Sequence, residues 1–131
     1  MAKSKPTRQF IQLSEGEKNY AMSRAVVQGD WCFVSGTMGY DYKKSELPES
    51  AAQQAMNTFT NIRQALDAAG FELGHTVRVQ YTVSDRKYVK EVLPIIKAHF
   101  DNILPAATMV LAEMVDPKGK IEIEVTCYKG A

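Results

Sequence analysis

Two carboxylates near the end of the chain are the residues best placed to do chemistry. Glu122 and Glu124 alternate with isoleucines and a valine in the run 120–125. In a strand, this alternation puts the apolar side chains on one face and both carboxylates on the other. A carboxylate on a sheet face can act as a general acid or base. It can equally form an ordinary ion pair, here with Arg78 or Lys120, and the pattern leaves both readings open.

The cysteines and histidines form no motif with these carboxylates. Cys32 and Cys127 lie far apart, and no second cysteine or histidine follows at the spacing of a zinc site. We therefore expect no metal and no cofactor, with Cys32 as a buried thiol. His75 and His99 are expected at the surface, and without a histidine pair or a basic stripe an RNA-cleaving or RNA-binding function is not favoured.

Length and charge favour one ordinary globular domain. The chain has 131 residues, with 16 basic and 15 acidic side chains and a net charge of +1. A chain of this length can bury a core of its own, so residues 1–131 are predicted to form a single domain, of which residues 1–7 are a loose polar end. No signal peptide and no membrane-spanning run is recognisable, which predicts a cytoplasmic protein without membrane or nucleic-acid partners.

The N-terminal half is predicted to be mostly strand. Ser14–Asn19 is polar and is predicted as a loop, and Gly29-Asp30 between two apolar runs indicates a hairpin. The segment 36–48 is predicted as a loop at a strand end, a frequent place for ligand contacts, although Tyr40 and Tyr42 can equally cover the core. The predicted strands of this half are Arg8–Leu13, 24–28 and 31–35.

Two helices are predicted further along. The first starts with a capping box of Ser50 and Gln53 and ends at Gly70, and its polar side, which includes Gln54 and Asn61, is expected to face water. The second follows Asp85 and contains Pro94. A proline inside a helix removes a donor and clashes with the preceding turn, so a kink or a division into two parts is expected there.

The remaining strands complete an α/β sandwich. Residues 76–83 alternate strictly, and Leu104–Val115 is apolar at nearly every position, which predicts a strand buried on both sides. The element order predicts a mixed six-stranded sheet with two helices on one face. The uncovered face is either exposed to solvent or forms the inner wall of an oligomer. Its predicted residues are polar: Arg78, Gln80, Thr82, Glu122, Glu124 and Thr126.

In this order and spacing the chain resembles the Rid (YjgF) family of reactive intermediate deaminases from about Tyr20 to Tyr128. The motifs that carry the likeness are Ser23-Arg24-Ala25-Val26, Phe33-Val34-Ser35-Gly36, Gln54-Ala55, Asn61-Ile62, Ala68-Ala69-Gly70, Pro105-Ala106 and Ile121-Glu122-Ile123-Glu124. The resemblance implies a chorismate-mutase-like fold and a homotrimer with a central barrel and three clefts between subunits. It also implies hydrolysis of enamines or imines without a metal or cofactor.

The resemblance assigns site residues one by one. Glu122 matches the acid that positions the attacking water, and Gly36, after Ser35, matches a close approach of the backbone to the substrate. Thr108 is implied beside that water. Active members carry an arginine after Pro-Ala that clamps the substrate carboxylate, and here that residue is Ala107.

Two further cleft positions depart from the family pattern. Met22 replaces an aromatic residue and Met109 a small polar one, so the implied cleft is more apolar than in the deaminases. Arg78 or Arg24 is a candidate to supply the missing charge. Two hypotheses follow: a divergent hydrolase of imines, enamines or related metabolites that uses Glu122, and a non-catalytic trimer that binds or senses a small molecule.

Overall fold

A six-stranded mixed sheet forms the frame of the structure, a computed structural model that describes residues 8–130. The loose end predicted for residues 1–7 lies outside the described residues. The strands lie in the order β1-β2-β3-β6-β4-β5, in which β4 and β5 pair in parallel and the other neighbours are antiparallel. They are β1 Arg8–Ile11, β2 Ala25–Gln28, β3 Trp31–Thr37, β4 Thr76–Val83, β5 Ala106–Leu111 and β6 Ile121–Tyr128. The predicted mixed six-stranded sheet is confirmed.

Two long helices, α2 (Ala51–Ala69) and α3 (Val89–Phe100), cover one face of this sheet. The alternate apolar positions of β6 face them, so Ile121 and Ile123 are fully buried against side chains such as Phe59 and Ile62. Burying such side chains contributes on the order of 1.5–3 kcal/mol each. The core therefore lies between the helices and the inner strands, and it holds β6 firmly in place.

The segment predicted as the loop Ser14–Asn19 instead contains a short helix, α1 (Glu15–Asn19). The Glu17 carboxylate accepts hydrogen bonds from the backbone N–H groups of Leu13 (2.7 Å) and Ser14 (2.8 Å), and it also receives the Ser14 hydroxyl. These bonds satisfy donors that a helix start leaves open. The loop prediction was wrong because the polarity of the segment outweighed its Ser-x-x-Glu capping signature.

The polar residues Gln54 and Asn61 of α2 are buried, contrary to the prediction that they face water. The Gln54 side-chain amide donates to the carbonyls of Pro48 (2.8 Å) and Lys118 (3.0 Å), and its oxygen accepts from Lys120 N–H (2.8 Å). The Asn61 amide donates to the carbonyls of Met38 and Tyr40. The two amides thus attach the loops after β3 and before β6 to the helix.

The ends of the helices agree in part with the prediction. Ser50 Oγ accepts from Gln53 N–H at 3.0 Å, whereas the Gln53 side chain donates to Asn57 instead of completing a capping box. Gly70 ends α2 with φ 78°, the left-handed conformation of a C-terminal cap. After Asp85, a single 3-10 turn precedes α3, which continues through Pro94 without a break, so the expected division into two parts does not occur there.

The predicted hairpin of β2 and β3 is confirmed, with Gly29 at φ 58° in its turn. Cys32 and Cys127 are fully buried free thiols in register on β3 and β6, as expected for Cys32. Burial raises the pKa of Cys32 to about 12. Both cysteines therefore belong to the core.

Strand β5 is exposed at all six residues, although the sequence predicted a strand buried on both sides. It lies at the end of the sheet, pairs with β4 alone among the described strands, and is not buried by any helix of residues 8–130. Met109 is 37% exposed and Leu111 45% exposed. The apolar composition therefore does not reflect burial within a single chain.

The sheet face opposite the helices has a polar half and an aromatic half. Glu122, Glu124 and their neighbours on β4 form the predicted polar half. On β3, Trp31 and Phe33 stack with their ring centroids 6.2 Å apart and remain 42% and 48% exposed. The face is thus only partly polar, because β1–β3 contribute aromatic and aliphatic side chains where β4 and β6 contribute polar ones. No helix among the described residues is long and apolar enough to cross a membrane.

Candidate functional site

Glu122 and Gly36 form the tightest contact of the candidate site. Glu122 lies on β6 and is half-buried, and Gly36 lies on β3 at an irregularity in the pairing of these two strands. A Cβ atom at position 36 would lie 2.7 Å from Glu122 Oε1 and 2.7 Å from its Cδ. Glycine is therefore required for the carboxylate to rest over the backbone of β3.

The surroundings of Glu122 favour its protonated form. Burial raises the pKa of this carboxyl group, the neighbouring charge of Glu124 raises it further, and Arg24 opposes both. Among residues 8–130, only Lys97 and Asp101 form an ion pair within 4.0 Å, so neither Arg78 nor Lys120 neutralises Glu122. A carboxyl group with a raised pKa is protonated over a wider pH range than an ordinary glutamate and so can act as a proton donor as well as an acceptor.

Arg24 is the cation nearest to this pair. Its Nη1 donates to the carbonyl oxygen of Gly36 at 2.8 Å and to Thr37 Oγ1 at 3.1 Å. Its Nε is buried and makes no hydrogen bond among the described residues. Of the two arginines considered from sequence, Arg24 therefore lies at the candidate site, whereas Arg78 reaches Thr108 Oγ1 at 3.5 Å.

Ser35 is tied to the neighbouring segment. Its Oγ donates to the carbonyl of Ser23 at 2.8 Å, and its N–H donates to the carbonyl of Arg24 at 3.0 Å. These bonds fix the backbone just before Gly36. Within the chain, the Ser35 side chain thus helps to hold the strand on which Gly36 approaches Glu122.

The predicted site residues on β5 are not brought to Glu122 within one chain. Thr82 on β4 pairs with both Glu122 and Val110, so β5 lies two strands from β6, about 10 Å away. Thr108 shares the face of Glu122, and Ala107 and Met109 point to the opposite face. The role predicted for these three residues beside Glu122 remains a prediction.

Met22 lies apart from this pair. It belongs to a shallow depression that also includes Phe10 and Lys18, and its carbonyl accepts from the Gln12 side chain at 2.9 Å. Its predicted contact with a substrate also remains a prediction.

The described residues contain no group of three or more His, Cys, Asp or Glu side chains that could hold a metal ion. The histidines have other contacts. His75 Nδ1 accepts from Glu72 N–H at 3.0 Å, and His99 stacks on Phe59 with ring centroids 3.9 Å apart. They lie on different elements and form no pair for transfer chemistry.

A recess beside Arg24 was not predicted. It has a volume of about 600 Å³, and its lining includes the side chains of Glu17, Arg24, Tyr42, Asn61 and Gln64. Glu17 is only 5% exposed and Asn61 only 7%. The capping signature at Ser14 could have placed Glu17 at a helix start, but no pattern along the chain brings α1, β2 and α2 together.

Comparison with known proteins supports the fold and the family. The family model described as endoribonuclease L-PSP matches residues 14–129. The chain is 28% identical over 109 residues to the 2-iminobutanoate/2-iminopropanoate deaminase of Bos taurus, which covers 82% of this chain and 80% of the relative. The crystal structure of a YjgF family member from Mycobacterium tuberculosis superposes with a TM-score of 0.84 at 30% identity and covers 94% of this chain and all of that one. RidA from a Psychrobacter species gives a TM-score of 0.79 at 28% identity, over 91% of this chain and 94% of the other. The predicted chorismate-mutase-like fold is confirmed.

Proposed function

The chain belongs to the endoribonuclease L-PSP family, the Rid or YjgF family that its motifs resemble, and from this premise we propose that it processes small imines or enamines by hydrolysis. The activity for which the bovine relative is named, deamination of 2-iminobutanoate and 2-iminopropanoate, supports this class of reaction. Hydrolysis adds water across the C=N bond and releases a carbonyl compound and ammonia.

The observation that carries the proposal is the position of the Glu122 carboxyl group against Gly36. The raised pKa of Glu122 suits both halves of the reaction. As carboxylate, Glu122 takes a proton from water as the oxygen attacks the imine carbon. As acid, it delivers that proton to the nitrogen, which gives a carbinolamine. When the carbinolamine collapses, its hydroxyl proton passes through Glu122 to the amino nitrogen, so that the C–N bond breaks, the C=O bond forms and ammonia leaves.

The preferred substrate is proposed to lack a carboxylate next to the imine carbon. Ala107 offers only a methyl group where active members of the family carry the arginine that binds that carboxylate. Arg78 contacts Thr108 and Arg24 donates to Gly36, and we propose that neither takes over the role of that arginine. Met109 and Ala107 would give the cleft an apolar wall.

The cleft is proposed to form between the subunits of a homotrimer. Within one chain β5 is exposed along its whole length, and its residues lie two strands from Glu122. A second copy that packs on β5 would cover the exposed strand and bring Ala107, Thr108 and Met109 of one chain toward Glu122 of another. This arrangement is an inference from the exposed strand and from the resemblance.

Glu122→Gln tests the chemistry, with Glu124→Gln as the matched control on the same face. Imines are generated in the assay, some with and some without an adjacent carboxylate, and ammonia release is followed. We expect Glu122→Gln to lower the rate on uncharged imines by a factor of about 100 or more. Glu124→Gln removes only the smaller of the two causes that raise the pKa of Glu122, so its effect on the rate should be much smaller. Equal rates for wild type and Glu122→Gln would contradict the proposal.

Non-catalytic binding of a small molecule is the second candidate, and the absent arginine at position 107 favours it. It predicts no acceleration with any imine of the panel, together with stabilisation of the protein by an uncharged analogue. Strong stabilisation by simple 2-oxo acids would contradict it, because Ala107 supplies no charge to bind them.

A further inference from the structure

The recess beside Arg24 contains one cation and one anion that are not paired with each other. Arg24 and Glu17 both line it, yet no nitrogen of Arg24 comes within 4.0 Å of a carboxylate oxygen of Glu17. Opposite charges that share a half-enclosed space normally approach each other. Here their own contacts hold them apart, and this separation leaves room for a guest between them.

Each charge is held by hydrogen bonds to other parts of the chain. The Glu17 carboxylate is held by the N–H groups of Leu13 and Ser14 and by the Ser14 hydroxyl, three bonds that leave room for one more donor on a carboxylate. Arg24 uses only Nη1, toward Gly36 and Thr37. Both groups are therefore positioned before any guest arrives and keep unused hydrogen-bonding capacity.

The guanidinium of Arg24 is incompletely satisfied by the protein. Its buried Nε has no hydrogen-bond partner among residues 8–130, and no hydrogen bond of Nη2 occurs there either. Buried donors normally find partners. An arginine in this condition at the edge of a recess is typical of a site that completes its bonding with an anionic group.

The other lining groups add acceptors and a ring. The Asn61 amide nitrogen is occupied by the carbonyls of Met38 and Tyr40, which turns its oxygen away from them. The charges of Arg24 and Glu17 both act on the Tyr42 hydroxyl. Burial raises the pKa of this hydroxyl, Arg24 acts to lower it and Glu17 acts to raise it. The recess thus offers a cationic donor, carboxylate and amide acceptors and an aromatic ring.

We propose that this recess, formed by Glu17, Arg24, Tyr42 and Asn61, is a binding site for a zwitterionic α-amino acid with a neutral side chain. The carboxylate of the ligand accepts from Arg24, and its ammonium group donates to Glu17 and to the Asn61 oxygen. The volume of about 600 Å³ lies within the range of small-molecule sites. This site is separate from the pair of Glu122 and Gly36, although Arg24 touches both.

The proposal is tested by thermal shift and calorimetric titration of the full chain with L-alanine, L-valine and L-phenylalanine, which differ in side-chain size. Propionate and ethylamine, which carry one charge each, are measured beside them. We expect at least one of the amino acids to stabilise the protein and to bind about tenfold or more tightly than propionate or ethylamine. If none of the three binds, or if propionate binds as tightly as the amino acids, the proposal is wrong.

Two variants remove one charge each. Glu17→Gln keeps the shape and retains an oxygen for the N–H groups of Leu13 and Ser14, whereas Arg24→Gln is shorter and removes the guanidinium together with its bond to Gly36. We expect each to weaken amino-acid binding about tenfold or more. Glu15→Gln and Arg86→Gln, at exposed positions outside the recess, serve as matched controls and are expected to bind like the wild type. Undiminished binding by both recess variants, with folding verified by circular dichroism, would overturn the proposal.

Discussion

Ala106 and Ala107 are neighbours on β5 and point to opposite faces of the sheet. Both are exposed in the single chain. The resemblance places a carboxylate-binding arginine at 107 and none at 106. The pair therefore offers a test of the proposed cleft in which the same charge is added on either side of one strand.

Ala107→Arg is expected to convert the proposed specificity. A charge-assisted hydrogen bond contributes about 1.5–3 kcal/mol, so kcat/KM for imines with an adjacent carboxylate should rise about 10- to 100-fold. Steady-state kinetics with paired charged and uncharged imines measures the change. Ala106→Arg should leave the preference unaltered, and a gain of equal size in both variants would place the cleft elsewhere.

Glu122 and Glu17 are expected to affect the pH dependence of stability in opposite directions. The pKa of Glu122 is raised, first by burial and then by Glu124. For Glu17, burial acts to raise the pKa, but the hydrogen bonds from Ser14 and Leu13, with the charge of Arg24, together lower it. Ionised Glu122 therefore costs stability above its ordinary pKa, and ionised Glu17 contributes stability there.

Urea denaturation over a range of pH checks these signs. At neutral pH, Glu122→Gln should be more stable than the wild type and Glu17→Gln less stable. The advantage of Glu122→Gln should shrink as the pH falls through the raised pKa of Glu122 and vanish below the unfolded value of about 4.3. The deficit of Glu17→Gln should be lost as the pH falls through the lowered pKa of Glu17. Shifts of the same sign in both variants would refute the assignment.

At the scale of elements, the sequence predicted the strands and helices whose apolar residues repeat with a clear period. Strands β2 to β4 and helix α2 appear close to their expected positions, because their apolar side chains repeat with the strand or helix period. The wrong predictions of exposure concern polar residues that have specific hydrogen-bond partners. Gln54 and Asn61 look solvent-facing along the helix, and only the three-dimensional placement of the loops shows which carbonyls they bind.

Gln54 is accordingly expected to contribute more to the free energy of unfolding than an exposed polar residue does. Gln54→Leu would leave the carbonyls of Pro48 and Lys118 and the N–H of Lys120 without their partner. The expected loss in the free energy of unfolding is about 2–3 kcal/mol, measured by urea denaturation. The adjacent exposed Gln53, changed to Leu, should lose no more than about 0.5 kcal/mol. A similar loss in both variants would mean that the amide does not anchor the loops.

The candidate site likewise has one part that the sequence predicted and one part that it did not. Glu122 and Gly36 could be identified from the motifs, and the structure places them in contact. The recess between α1, β2 and α2 could not be identified, because its residues are far apart along the chain and carry no common motif. Spacing along a sequence encodes which face a residue takes, but not which distant element lies opposite.

At the scale of the molecule, β5 stands out as an apolar edge strand that a single chain leaves exposed. An edge strand of this kind presents unpaired backbone groups and apolar side chains to another chain. The sequence predicted burial on both sides, and an assembled oligomer would reconcile that pattern with the exposure seen here. The composition of β5 thus fits a strand buried by assembly.

Val110→Lys is expected to shift the protein from an oligomer toward the monomer, because it replaces an exposed apolar side chain of β5 with a charge. Light scattering coupled to gel filtration measures the mass. Val115→Lys is the control, since Val115 is fully exposed outside the strand and should leave the mass unchanged. A wild-type protein that is already monomeric would remove the basis for the proposed cleft.

The position of Arg24 has a consequence for how the two proposed sites communicate. Its guanidinium lowers the pKa of Glu122 on one side and lines the recess on the other. A carboxylate bound by Arg24 would weaken that influence and raise the pKa of Glu122 further. By thermodynamic reciprocity, protonation of Glu122 would strengthen binding in the recess by the same factor. An amino acid in the recess would thus act as a heterotropic effector of the proposed hydrolysis and shift its pH optimum upward without contacting the substrate.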